Sequence, residues 1–380
     1  MATPAAVIPS AEFRKELKAR GGASAARCFQ CATCSSVCEL APADAPFPRR
    51  QMLLAQWGLA DQLAGDPAVW LCHQCNDCSV RCPRDAKPGD VMQVVRCLTV
   101  EKLAKPGFMG SLVAKARTTW PLLVGFPILF WILYLAGLGR FEHVAEVGPN
   151  AGFDHFVPHW MIYSVYFPVV GFVTLMAGMS GVQFWNLLGS QAKRSGSFIG
   201  SLISALTDIA THKRFGSCDT ARPRKWGHFL LFWGFLGAAI TSAFIIVVLY
   251  FPYIPGFKET MPLPLTHWIK LLGNLSAVAL VIGGVWLWSN RTQNGNRAGA
   301  STAFDTFFLY VVLAVIITGC FVEAARFVLA PQIASWLYVL HLGVVLCLFL
   351  TFPYSKFAHL LYRTLAMVHE RMATPDEAAN

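Results

Sequence analysis

Up to about residue 117 the chain alternates polar, charged, Gly and Pro positions over short intervals. Beyond that point long runs are apolar on every face of a helix, a pattern that predicts buried or membrane-embedded helices rather than strands. The runs fall at 120–139, 159–189, 227–251, 267–289, 304–328 and 333–352. Each supplies the roughly 20 apolar helical residues that a hydrocarbon core demands. The second is the longest and contains Pro168, where a bend or an early exit from the membrane is expected. Between the second and third runs, Phe198, Leu202, Ile203, Leu206 and Ile209 recur at helical spacing. They predict an amphipathic helix on the membrane surface, with a docking face for a partner as the second reading. The fold class expected is all-α: a helical head over 1–117, a six-span membrane domain over 118–362 and a tail over 363–380.

Composition agrees with this division. Of 380 residues, 55% are hydrophobic and 14% charged, with mean hydropathy +0.48, which excludes an ordinary soluble protein. The net charge of +10 concentrates in loops on one side of the expected membrane. Residues 190–226 carry Lys193, Arg194, Lys213, Arg214, Arg222, Arg224 and Lys225 against Asp208 and Asp219. Residues 290–303 add Arg291 and Arg297 with no acid. The other side has Arg140 and Lys258 with Glu142, Glu146, Asp154 and Glu259. The positive-inside rule therefore puts the N-terminus in the cytoplasm, and an even number of spans brings the C-terminus back there, across a bacterial inner membrane. The charge is thus accounted for by the lipid bilayer, with no nucleic-acid partner. Trp120, Trp160, Trp268, Trp288 and Trp336 lie near span ends, as interfacial residues do. The first 27 residues carry Arg14, Lys15, Lys18 and Arg20 but no apolar signal core, so the head is expected in the reducing cytoplasm.

The head contains one spacing twice. Cys28, Cys31, Cys34 and Cys38 read C-x2-C-x2-C-x3-C, and Cys72, Cys75, Cys78 and Cys82 repeat it, followed by Pro83. This is the ligand run of a bacterial ferredoxin holding two 4Fe-4S clusters, in which the fourth cysteine serves the other cluster. The expected sets are Cys28, Cys31, Cys34 and Cys82 for one cluster, and Cys72, Cys75, Cys78 and Cys38 for the other. Zinc sites use separated C-x2-C pairs, and disulfides between sulfurs this close in sequence would be strained.

The histidines suggest haem b. His341 and His359 lie 18 residues apart, five helical turns, and share a face if the last helix continues past Pro353. His228 opens the third run at the end where His359 closes the last, so the two form the expected axial pair of an inner haem. For His341 the partner expected at the outer end is His267, with His159 as the alternative. His143, His155 and His369 read as surface residues, His73 as a neighbour of a cluster, and His212 has no assigned role. Lys270 and Asn274 share a helix face near the outer surface, where a quinone carbonyl would need a hydrogen-bonding group. Snorkelling to the interface explains Lys270 equally well. Glu323 and Arg326 are expected to pair with each other, and Arg224 and Lys225 offer an alternative quinone site beside His228. Arg49 and Arg50 are either a partner-docking patch or a solvated face.

Together these features resemble known redox proteins. The first 110 or so residues resemble the C subunit of heterodisulfide reductases. The remainder resembles their membrane E subunit and the gamma subunit of respiratory nitrate reductase. The fused order, with "HKRFGSC" and "RKWGHFLLFWGF" before and into the third run, resembles the membrane C subunits of quinone-interacting membrane-bound oxidoreductases (Qmo). The resemblance implies two b haems held by two histidines on each of two helices. Here Ala238 stands where the fourth would be. It also implies a basic residue at an outer quinol site, matched by Lys270 in "HWIKLLGN". It further implies flavoprotein partner subunits that carry the FAD and electron exchange with adenylylsulfate reductase in dissimilatory sulfur metabolism, with a membrane quinone, menaquinone or another, as substrate. The chain shows no dinucleotide fingerprint and no nucleophile–base constellation, so its chemistry is expected to end at quinone oxidoreduction by an electron-transfer subunit. The rivals are a heterodisulfide reductase membrane subunit, a haem-free anchor or transporter with a ferredoxin head, and a zinc-binding structural protein.

Overall fold

The computed structural model describes residues 8–43, 45–147, 152–189, 195–218, 222–251, 263–293 and 302–373. Of the loop charges named above, Lys193, Arg194, Asp219, Lys258, Glu259 and Arg297 lie outside the described residues. Among the described residues there is no strand, and the fold is all-α.

The head comprises α1 (Ala11–Leu17), α2 (Thr33–Ser36), α3 (Arg49–Trp57), α4 (Ala60–Ala64), α5 (Ala68–Leu71), α6 (Asp77–Val80), α7 (Pro88–Leu103) and α8 (Gly107–Ala114). Helix α7 is the axis of this unit. It touches α1, α3, α4, α5, α6 and α8 and buries residues on all its faces. Its own Met92 and Leu103, and Met52, Leu63, Val69 and Trp70 packed around it, have almost no exposure.

Six longer apolar helices follow: α9 (Ala116–Gly137), α10 (His159–Gly189), α12 (Arg222–Tyr250), α13 (Trp268–Gln293), α14 (Ala303–Val328) and α15 (Pro331–Thr351). Helix α12 packs along α13, α14 along α15, and α15 also against α9. The α12–α13 contact depends on small residues. A Cβ on Gly283 would stand 2.7 Å from the Gly227 carbonyl oxygen, and one on Gly237 would overlap Ser276 Oγ. Close approach through small side chains is how helices associate where lipid removes the hydrophobic incentive. Leu122, Phe126, Leu129 and Leu133 on α9, and Val278, Val281 and Val285 on α13, point outward. Such apolar surface suits hydrocarbon and would be costly in water.

The last helix departs from the sequence expectation. It does not continue from His341 to His359. Helix α15 ends at Thr351, a 3-10 turn covers Phe352–Tyr354, and Ser355 is extended (φ −101°, ψ −173°) before α16 (Ala358–Ala373) begins. Pro353 sits inside the turn, where its missing N–H cannot continue a helical ladder. Residues 363–373 are therefore part of a packed helix. Its buried face, with Tyr362, Ala366, Met367, Val368 and His369, lies against the head and α11 (Phe198–Thr211). His369, expected at the surface, is buried beside Trp185. Helix α11 turns Leu202, Ala205 and Ile209 toward this junction and Ile199, Ile203 and Leu206 outward. Arg371 fixes it there, donating to Asp208 Oδ2 at 2.6 Å and Ser204 Oγ at 3.0 Å.

The head docks on the end of the bundle where α10 ends, α12 and α14 begin, and α15 gives way to α16. Ser180 donates to the Leu103 carbonyl (2.9 Å) and Tyr354 to the Lys105 carbonyl (2.6 Å). At the start of α14, Asp305 is 1% exposed and accepts from Gln93 of the head (2.8 Å) and from Lys356 (2.5 Å). A carboxylate so deeply buried is tolerable because it is paired and hydrogen-bonded, and Thr302 completes a capping box with it.

Candidate functional site

The two cysteine runs share one backbone conformation. Gln30 and Ala32 have φ of 59° and 68°, and their counterparts Gln74 and Asn76 have 53° and 69°. Left-handed residues at alternate positions turn backbone N–H groups inward and form an anion-binding nest of the kind found at iron–sulfur sites. Amide donors reach the sulfurs: Gln74 N–H to Cys72 Sγ (3.4 Å) and Ala86 N–H to Cys82 Sγ (3.3 Å). One small cavity is lined by Cys28, Cys31, Cys34 and Cys82, the other by Cys38, Cys72, Cys75 and Cys78. Each gathers three sulfurs of one run and the fourth of its partner run. Burial pushes the Cys34 and Cys38 thiols up to about 11, whereas the Thr33 hydroxyl pulls exposed Cys31 down. Crowded buried sulfurs of this kind fit ligands that give up protons when metal arrives.

Above the second run lies a cavity of about 500 Å³. Its wall runs from His73, Gln74 and Cys75 of the head to His228 on α12 and His359 on α16, with Leu231, Phe304 and Phe308 as apolar lining. The His228 and His359 rings lie edge-on at 77° with centroids 6.2 Å apart. With metal–imidazole bonds of about 2 Å, one metal atom fits between them.

Hydrogen bonds fix which nitrogen each imidazole leaves bare. His359 Nδ1 donates to the Lys356 carbonyl. His212 Nδ1 lies 3.4 Å from the Ala210 carbonyl, which can only accept, so its Nε2 is bare and receives the Nδ1 proton of His228 at 2.8 Å. On α15, His341 Nδ1 meets Thr318 Oγ1 at 2.8 Å, and that hydroxyl already donates to the Ala314 carbonyl at 2.7 Å. His228, His359 and His341 thus each offer an unprotonated Nε2, the arrangement of a metal-binding histidine. His267 is the opposite case. It sits just before α13, where its Nδ1 accepts the Ile269 N–H at 3.3 Å, which leaves the proton on Nε2. Facing His341, helix α14 presents Thr318 and Gly319 rather than a histidine. His159 opens α10.

Three arginines grip the second cysteine loop. Arg96 Nε donates to the Val69 carbonyl (2.6 Å), Arg224 to His73 (2.6 Å) and Gln74 (3.1 Å), and Arg363 to Trp70 (3.0 Å) and Cys72 (2.8 Å). Burial first, and these cations second, hold His73 well below the usual histidine range. The expected Glu323–Arg326 pair does not form. Glu323 instead takes Lys270 Nζ at 2.8 Å across the α13–α14 contact, and Arg326 lies over the Phe153 ring. Helix neighbours prevailed over sequence neighbours. The roles of His212, Arg363 and the buried Cys218 are not legible in the sequence, because tertiary contacts and not a spacing rule set their partners. The only trace of Cys218 was its place in "HKRFGSC".

Comparison with known proteins divides the chain in the same way. The Citrate utilization protein B family matches residues 122–380, and a 4Fe-4S dicluster domain matches residues 24–86. Citrate utilization protein B of Escherichia coli is 30% identical over 367 residues, 90% of this chain and 88% of that protein. The C subunit of the H(2):CoB-CoM heterodisulfide,ferredoxin reductase of Methanothermobacter thermautotrophicus is 41% identical over 119 residues, 29% of this chain and 62% of that protein. A protein of Archaeoglobus profundus that is like the C subunit of heterodisulfide reductase is 38% identical over 95 residues, 25% of this chain and 49% of that protein. The chain thus spans less than two thirds of these shorter relatives. No solved structure shows a significant match.

Proposed function

This chain belongs to the Citrate utilization protein B family, and we propose that it is a membrane electron-transfer subunit linking a quinone pool to a soluble redox partner. The observation that carries the reading is the continuous cavity bounded by Cys75 at one end and the His228–His359 pair at the other. Two 4Fe-4S clusters on the eight run cysteines and a haem b on His228 and His359 would supply one-electron carriers there. His212 and the Lys356 carbonyl hold the two imidazoles in the tautomer that such a haem needs. Arg363 joins the His359 helix to the backbone of Cys72. A second haem on His341 has one prepared ligand, and the tautomer of His267 argues against it as the other.

Basic residues at the head end, Lys213, Arg214, Arg224, Lys225 and Arg291, support a cytoplasmic head. The quinone site proposed at the opposite end lies beside Lys270 and Glu323, a cation and a carboxylate able to hold and release the protons that accompany quinone reduction. For the soluble partner, a flavoprotein acting on a citrate-like carboxylate is the first reading, because the relative aligned over most of the chain bears that name. A Qmo-type flavoprotein partner serving adenylylsulfate reductase is the second, supported by the heterodisulfide-reductase-like head. Mild-detergent purification with identification of the co-purifying subunits tests both. A carboxylate-specific flavoprotein supports the first, sulfur-metabolic subunits support the second, and a complex without flavin removes both.

A further inference from the structure

Residues 212–218, which follow α11, close over the second cysteine run. Phe215 packs edge-on against His73, with centroids 4.7 Å apart, and Arg224 donates to the His73 and Gln74 carbonyls. This segment carries Cys218, 2% exposed, which lines the same cavity as Cys38, Cys72, Cys75 and Cys78. Its sulfur, that of Cys75 and a carboxylate oxygen of Asp77 lie within 4.8 Å of one another. Among the described residues the other cavity has no such visitor. It is lined by head residues alone, and its Cys31 is exposed.

Four sulfurs saturate the four irons of a cubane. Cys38, Cys72, Cys75 and Cys78 already provide them, so a fifth cysteine finds no vacant iron and keeps its proton. A thiol at this distance from a metal-bound thiolate is a donor, and hydrogen bonds to cluster sulfurs are among the factors that set reduction potential. The sign follows from charge. An added electron makes the cluster more negative, and a donor or a nearby cation stabilises that state more than the oxidised one. Arg224 and Arg363 act in the same sense, both aimed at the loop that carries Cys72 and Cys75 and both shielded by protein, where screening by salt is weak.

We propose that Cys218 donates a hydrogen bond to the cluster-bound sulfur of Cys75 and, with Arg224 and Arg363, raises the reduction potential of the inner cluster. The inference rests on the reading of the eight run cysteines as cluster ligands. By this means the membrane part tunes the carrier nearest to it and leaves the exposed cluster to the head.

The test is a redox titration of the full chain in detergent, followed by electron paramagnetic resonance, with the inner-cluster signal identified by its loss in Cys72→Ala. Iron in the unaltered chain is counted first. Much less than about eight atoms would remove the cluster reading itself and is distinct from any result with the variants. Cys218→Ala is expected to move the inner-cluster signal to more negative potential with iron content unchanged and the outer signal in place. Cys218→Ser, which keeps a donor, should restore most of the shift, and Arg224→Gln should lower the same signal. Loss of half the iron in Cys218→Ala would make Cys218 a ligand and overturn the proposal. So would an unmoved inner signal, or equal shifts in both clusters.

Discussion

Arg363 stands one turn beyond His359 on α16 and donates Nη2–H to the carbonyl of Cys72 at 2.8 Å. A single side chain thus joins the helix of a candidate haem ligand to the backbone of a candidate cluster ligand. Its Nε also satisfies the Trp70 carbonyl at 3.0 Å. Arg363→Met removes both donors, which leaves the sheltered Trp70 carbonyl without its partner and the Cys72 carbonyl with Arg96 alone. Hydrogen bonds from charged groups contribute about 1.5–3 kcal/mol each, so a loss of about 2 kcal/mol or more in head–bundle stability is expected. Denaturant titration measures it, and an unchanged midpoint would show that water replaces the arginine.

His228→Ala and His359→Ala are each expected to abolish the same low-spin b haem signal in the visible spectrum, because each removes one face of a single pair. Loss of different haems would break the pairing. His212→Ala is the subtler case. It removes the acceptor for the His228 Nδ1 proton, and loss of such a supporting partner costs about 10–100-fold in affinity. Haem titration of the variant should show weaker binding at unchanged stoichiometry.

Cys82→Ala is expected to damage the cluster whose other three ligands are Cys28, Cys31 and Cys34, and Cys38→Ala the one on Cys72, Cys75 and Cys78. Electron paramagnetic resonance of the two variants should show opposite survivors. If each variant instead lost the cluster of its own run, the crossover would be refuted.

Lys270→Ala is expected to slow quinol oxidation while iron and inner haem contents stay constant. The ion pair with Glu323 supplies a control. In the exchanged double variant Lys270→Glu with Glu323→Lys, stability should recover if the pair matters only to packing. Full recovery of quinol turnover as well would remove the site from this end of the bundle.

The parts of the fold that were legible in the sequence are those whose physics imposes spacing. Cubane ligation fixes the intervals in the cysteine runs, and hydrocarbon thickness fixes the length of an apolar run, so both could be read directly. The helix carrying His341 was misjudged beyond its end, because a proline inside an apolar pattern signals a kink or a stop without distinguishing them. Tyr354, Ser355 and the docking of α16 decided for a stop. Lys270 and Glu323 are both visible in the sequence, but their pairing is not, since nothing in the sequence says that α13 lies against α14. Cys218 and His212 matter through the segment after α11 and Arg363 through the docking of α16, and such contacts leave no period in the sequence.

The most direct measurement is anaerobic reduction of the purified full chain by a quinol analogue, with haem and cluster absorption followed together. Haem b reduction should precede or accompany cluster reduction in the unaltered protein, and His359→Ala should abolish cluster reduction by quinol while leaving reduction by dithionite intact. A chain with a full complement of iron, no haem and no response to quinol would contradict the electron-transfer role and leave a membrane anchor carrying a ferredoxin head.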